Sequence, residues 1–152
     1  EADLLQKHFG KTAVRIRHIG STAVEGLLAK PTVDILLEVP DNANLAEVRQ
    51  LTIECGYTVM EETTVPEYRL DLCKGYTPLG FAEKVFHLHI RHLGDWDEPC
   101  FCEYLKQHPE KAKEYADLKI GLQKKFKHDR NAYTEAKGEF IRKCVKAARN
   151  IK

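Results

Sequence analysis

The run His18-Ile-Gly-Ser-Thr-Ala-Val-Glu-Gly, followed by Pro31-Thr-Val-Asp34-Ile-Leu-Leu-Glu38-Val, sets a glycine-serine turn ahead of an acid within an apolar segment. Gly20 would let a phosphate approach the backbone, while Ser21 and Thr22 offer hydroxyls. Amides at the start of a short helix attract anions. A carboxylate on the next strand could hold a divalent cation, Mg²⁺, that bridges the phosphates. Asp34 has a second reading. An acid in an apolar strand must be paired or hydrogen-bonded, so it could serve only to hold the Gly20–Thr22 loop.

Other candidates lie downstream. His87 and His89 are two apart in a strand-like segment, so they share a face. With Asp34 they could form a small His/His/carboxylate metal site. Asp71, between Leu70 and Leu72, is a candidate third acid, on a strand whose placement the sequence leaves open. Lys30, Arg69, Lys74, Lys119, Arg130 and Lys137 are candidate phosphate contacts, and also ordinary solvated charges. Tyr133 and Lys137 are four apart and share a helical face, where an aromatic ring and a cation could cover a base and its phosphate. The same pair also serves as packing with a snorkelling lysine. His18 could pack against the turn, and Trp96 could stack on a base or fill a small core.

These residues need a sheet to position them. The pattern predicts a helix over 2–9, a strand over 13–19, a turn at 20–22 and a buried central strand over 32–39. Leu45 to Cys55 predicts a helix with apolar positions Leu45, Val48, Leu51 and Ile53, ended at Gly56. A strand over 57–60 follows, then a hairpin of 68–73 and 85–92 across a loop at 75–80. From residue 99 or 100 the pattern is helical: to 107, then from Pro109 to about 127, then from 131 or 132 to 150. The expected fold is a single α/β (α+β) domain, a mixed sheet packed by helices over about 1–95 with a helical part over about 96–152.

Composition fits a globular chain of 152 residues, 43% apolar and 31% charged. No apolar run approaches the roughly 20 residues that span a bilayer, and the first ten residues do not read as a signal peptide. Five cysteines in no disulfide-like spacing suit a reducing cytoplasm, and Cys100-x-Cys102 alone is weak as a zinc site. Net charge is only +1, which argues against a dedicated nucleic-acid binder. It is uneven: residues 104–152 carry 14 Lys/Arg against 6 Asp/Glu, the remainder 10 against 17. The basic tail is either a solvated helix face or a wall over an anion site.

His18-Ile-Gly-Ser-Thr22, Gly26-Leu27, Ala29-Lys-Pro31, Asp34-Ile35, His87-Leu-His-Ile90, Phe101…His108-Pro109 and the segments Tyr115…Lys119, Arg130…Tyr133…Lys137 and Phe140-Ile141 together resemble the GrpB (UPF0157) family. The resemblance implies a nucleotidyltransferase-like fold, a cytoplasmic protein, and kinship with an extra domain on some dephospho-CoA kinases. It implies a nucleotidyltransferase moving a nucleotidyl group from a nucleoside triphosphate to an acceptor. Gly20, Ser21 and Thr22 would cradle the triphosphate; Asp34, with His89 or Asp71, would hold Mg²⁺; Lys30 or Arg69 would offset charge on pyrophosphate. One departure matters. Active members of that superfamily carry a second acid two residues after the first, about 7 Å away on the same face. Here that position is Leu36, and Glu38 lies about 13 Å along the strand. The alternative is therefore a catalytically silent module for a nucleotide or CoA-like ligand.

Overall fold

The computed structural model describes residues 1–27 and 31–151. They form two compact units, residues 1–23 with 31–95, and 24–27 with 96–151.

The first unit is built on a five-stranded mixed sheet in the order β1-β2-β5-β4-β3. The strands are β1 (Arg15–Ile19), β2 (Thr32–Val39), β3 (Thr58–Thr63), β4 (Arg69–Thr77) and β5 (Gly80–His92). β2 runs parallel to β5, and every other neighbouring pair is antiparallel. Side chains alternate between the two faces of a strand. On one face Ile35, Leu37 and Val39 of β2, Leu70 and Leu72 of β4, and Leu88 and Ile90 of β5 form a continuous apolar layer. Leu5 and Phe9 of helix α1 (Ala2–Phe9) and Val48 of helix α2 (Leu45–Glu54) belong to the same cluster. Each fully buried leucine in it contributes roughly 2 kcal/mol.

Helix α2 forms where expected and turns only part of its apolar set inward. Its buried stripe is Val48 and Thr52, and Ile53 is 45% exposed. Positions 48 and 52 stand one turn apart, whereas Ile53 is rotated a further 100° or so toward solvent. Thr52 tolerates burial because its hydroxyl donates to the Arg49 carbonyl at 2.6 Å. The helix starts at Asn44, whose side chain accepts from the Ala46 and Glu47 amides.

The hairpin of β4 and β5 is longer than expected. Residues 75–77 and 80, read as loop, and 81–84, left between that loop and the expected strand, continue both strands to a tip at Pro78-Leu79. The pairing is irregular there. Between the pairs Lys74–Phe86 and Tyr76–Phe81, β5 contains more residues than β4. Gly75 sits in this irregularity with φ of +104°, and a β-carbon on it would collide with the Lys84 carbonyl oxygen.

The second unit contains α3 (Asp97–Gln107), α4 (Pro109–Lys125) and α5 (Arg130–Ile151). Proline opens α4, where its missing N–H costs nothing. Phe101, Tyr115 and Phe140, one from each helix, form an aromatic cluster; the Tyr115 and Phe140 rings stack at 5.4 Å. Among the described residues no helix is long and apolar enough to cross a membrane.

Candidate functional site

The face of the sheet opposite the apolar layer carries the chemistry. Register puts Asp34 and Glu38 of β2, His87, His89 and Arg91 of β5, and Asp71 and Cys73 of β4 on that face. Asp71 lies directly opposite His89, so β4 is the strand that brings the third acid to the site. His89 bridges two carboxylates: Nε2 donates to Asp34 Oδ1 at 3.1 Å and Nδ1 to Asp71 Oδ1 at 2.9 Å. Arg91 then donates to the same Asp71 oxygen at 2.9 Å.

Burial opposes the charged form of His89, but hydrogen bonds and charge from Asp34 and Asp71 outweigh it and push the ring up to about 9. Burial likewise opposes ionisation of Asp71. His89 and Arg91 outweigh it and hold the carboxyl below its ordinary value. At neutral pH His89 is therefore an imidazolium, with both N–H groups committed. Arg91 is 3% exposed and sequence reasoning missed it; its signal was the alternation His87-x-His89-x-Arg91.

Glu38 is fully buried and has another task. Its carboxylate accepts two hydrogen bonds from Arg15, one of them at 2.7 Å, one from Arg17 at 3.0 Å and one from the Gly94 amide at 3.2 Å. Burial would raise its pKa, yet these partners hold it below the ordinary carboxylate value. Glu38 thus ties β1 to β2 and to the turn after β5.

Gly20 follows β1 with φ of +76°, and its missing β-carbon leaves room for Asp34; one there would fall 2.7 Å from Asp34 Oδ2. The bend and the acid therefore meet. Ser21–Ala23 forms a single 3₁₀ turn. The Thr22 hydroxyl donates to the Thr32 carbonyl at 3.1 Å and accepts from His18 Nε2 at 2.9 Å, which staples the loop to the start of β2. His87 Nδ1 stands 3.7 Å from Asp34 Oδ1, and its Nε2 is 2.9 Å from the Tyr76 hydroxyl.

These donors do not fit a resident Mg²⁺ cluster. Asp34 Oδ1 and Asp71 Oδ1 already accept from His89. His89 has no free lone pair while it is cationic. The position where a second acid would stand is Leu36, 1% exposed. Among the described residues no group of three or more His, Cys, Asp or Glu side chains is arranged to hold a metal ion.

A sequence profile described as GrpB protein matches residues 1–147. The chain belongs to the GrpB family. A UPF0157 protein of Pseudomonas aeruginosa is 32% identical over 146 residues, covering 95% of this chain and 60% of that protein. The UPF0157 protein YqkA of Bacillus subtilis is 30% identical over 155 residues, 100% of this chain and 43% of its own length. The chain thus spans less than two thirds of either relative. The glutamate-rich protein GrpB of Alkalihalophilus pseudofirmus is 30% identical over 145 residues, and the match covers 82% of it. The crystal structure of the conserved protein GrpB from Enterococcus faecalis matches with a TM-score of 0.77 at 29% identity, over 97% of this chain and 87% of that one. None of these names states a reaction.

The remaining candidates in this GrpB chain fall in separate places. Lys30 lies outside the described residues. Arg69 is on the Asp71 face of β4, and its side chain pairs with Glu67 at 2.5 Å. Lys74 is on the opposite face, paired with Glu1 at 2.9 Å and 5.3 Å from the centre of the Tyr57 ring. Lys119, Arg130, Tyr133 and Lys137 belong to α4 and α5 of the second unit. There Lys137 Nζ lies 5.3 Å from the Tyr133 ring centre and Lys119 Nζ 4.9 Å from that of Tyr115. Burial, and then Lys137, lower the Lys119 pKa. Arg130 is exposed at the start of α5, and Trp96 immediately precedes α3.

Proposed function

We propose that this GrpB domain binds a phosphorylated ligand, a nucleotide or CoA-like molecule, at the Gly20 bend beside Asp34 and His89, without metal-dependent nucleotidyl transfer. One observation carries the reading: His89 already holds one oxygen of each of the two carboxylates that a metal would need. With His89 and Arg91 both cationic, Asp34 and Asp71 are balanced by two positive charges. That balance weakens both the pull on a divalent cation and the repulsion of a phosphate. Titration calorimetry with ATP, GTP, CTP, UTP and CoA tests this. Binding of equal strength in EDTA and in Mg²⁺ supports it, and silence for all five at millimolar ligand removes it.

Nucleotidyl transfer is the second reading, favoured by the contact of Asp34 with the Gly20 bend. It requires a carboxylate released from His89 and activity despite Leu36. Pyrophosphate release from a nucleoside triphosphate by the unaltered protein in Mg²⁺ would establish it. Release only after Leu36→Asp would assign the loss of chemistry to that position.

A further inference from the structure

We infer that Tyr76 is a nucleophilic phenol, activated by His87, that takes up a phosphoryl group from an ester or anhydride bearing a good leaving group. The inference is separate from the ligand-binding reading and does not need it.

The backbone irregularity in the β4–β5 hairpin makes the first argument. Cys73 pairs with His87 and shares its face, while Lys74 turns to the apolar side, where it meets Glu1 and Tyr57. Regular alternation would send Tyr76 to the side of Lys74, away from His87. The register shift after Lys74, with Gly75 at a φ open mainly to glycine, turns Tyr76 to the side of His87 instead. Such bulges re-aim single side chains.

The second argument is the geometry that results. The Tyr76 hydroxyl is 2.9 Å from His87 Nε2, and the two rings lie 6.0 Å apart at 28°. On the other side of the imidazole, Nδ1 faces Asp34 Oδ1 at 3.7 Å, beyond direct hydrogen-bond reach but close enough for the carboxylate's charge to act on the ring. A carboxylate there favours the tautomer with its proton on Nδ1, so Nε2 keeps its lone pair and accepts from the phenol. Imidazole and hydroxyl stand within the reach by which a base activates a nucleophile, and the carboxylate acts on the ring through its charge. Tyr76 is 50% exposed, so an incoming electrophile can reach it. Tyr57, Tyr68, Tyr104 and Tyr115 are buried, and Tyr133 is half-buried.

The step balances without an oxidant or a metal. The phenolic oxygen forms a bond to phosphorus, the bond from phosphorus to the leaving group breaks, and that group departs with its electron pair. The phenol's proton passes to His87 Nε2 and then to water.

An alkyl fluorophosphonate is the probe, with fluoride as leaving group, read by intact-protein mass and peptide mapping. The expected result is one adduct on Tyr76, formed at least about tenfold faster than any on Tyr133. Tyr76→Phe removes it. His87→Ala slows it about tenfold to hundredfold, the scale of general-base assistance, and added imidazole restores part of the rate in that variant alone. A merely structural His87 would show no such rescue. Equal labelling of Tyr133, an unchanged rate in His87→Ala, or imidazole acceleration of both proteins alike would each overturn the inference.

Discussion

Gly20 and Asp34 are in such close contact that the carboxylate occupies the space a β-carbon on residue 20 would need, with Oδ2 2.7 Å from that point. The glycine is required twice over, by its φ of +76° and by the acid beside it.

Gly20→Ala separates these two requirements when compared with Gly26→Ala. Gly26 has nearly the same φ, +78°, and nothing within 4 Å of an added β-carbon. The Gly26 change should cost about 1 kcal/mol of backbone strain. The Gly20 change should cost about 2–4 kcal/mol, because Asp34 must also move. Chemical denaturation of both variants checks the difference, and equal losses would mean that the contact yields freely.

Glu38→Ala should cost about 1–3 kcal/mol: it removes four hydrogen bonds and leaves a gap, while Arg15 and Arg17, 41% and 32% exposed, can turn to water. Arg17, on the strand beside it, already has a buried Nε without a partner. Adding Arg15→Ala and Arg17→Ala to Glu38→Ala should cost less than the separate losses combined. Equilibrium unfolding of the single and combined variants measures this coupling.

Stability should fall on both sides of a plateau as pH changes. Folding raises His89 from 6.5 to about 9, so its contribution is complete below about pH 6.5 and is lost as pH rises through about 9. At 1.36 kcal/mol per pH unit the ceiling is about 3 kcal/mol, and solvent screening of a ring 27% exposed brings it to about 2. Asp71 and Glu38 are lowered by folding, so their contributions hold above the ordinary carboxylate range and fade as pH falls through their lower folded values. Thermal unfolding from pH 3 to 10 should show both limbs. His89→Gln should flatten the alkaline limb and shrink the Asp71 part of the acid limb, leaving the part that Glu38 supplies, with the His89 ring signals in NMR reporting the titration directly.

Gly75→Ala should disturb the end of the hairpin and leave the rest of the sheet intact, since its β-carbon would meet the Lys84 backbone. Hydrogen exchange should speed up for the amides of residues 76–84 and stay slow for Leu70, Leu72, Leu88 and Ile90. Uniform acceleration across β4 and β5 would show that the irregularity supports the whole strand pair.

The strands over 32–39 and 85–92 were legible because β-branched and apolar residues alternate or run together there, and the terminal helices because proline and apolar spacing mark them. The hairpin beyond residue 75 was not, because Gly75 and Gly80 read as loop residues, while the structure uses Gly75 to permit an irregular ladder. At the site, the turn at 20–22 and Asp34 were legible together, as a glycine-serine turn before an acid in an apolar strand. The partnership of Asp71 with His89 was not, because strand order decides it and one sequence does not show which strands adjoin. Arg91 and Tyr76 escaped for similar reasons: one is a long cation buried by its pairing with Asp71 on the neighbouring strand, the other is re-aimed by an insertion.

β5 has His87, His89 and Arg91 along one side and Phe86, Leu88 and Ile90 along the other. Sliding this strand by a single residue against β2 would drive two histidines and a guanidinium into the oily layer and push the leucine and isoleucine out into polar company. Mispaired arrangements are therefore far less stable than the native one, and a strand that docks out of step is driven to let go and try again. The row of ionisable groups doubles as a proofreading device for assembly of the sheet.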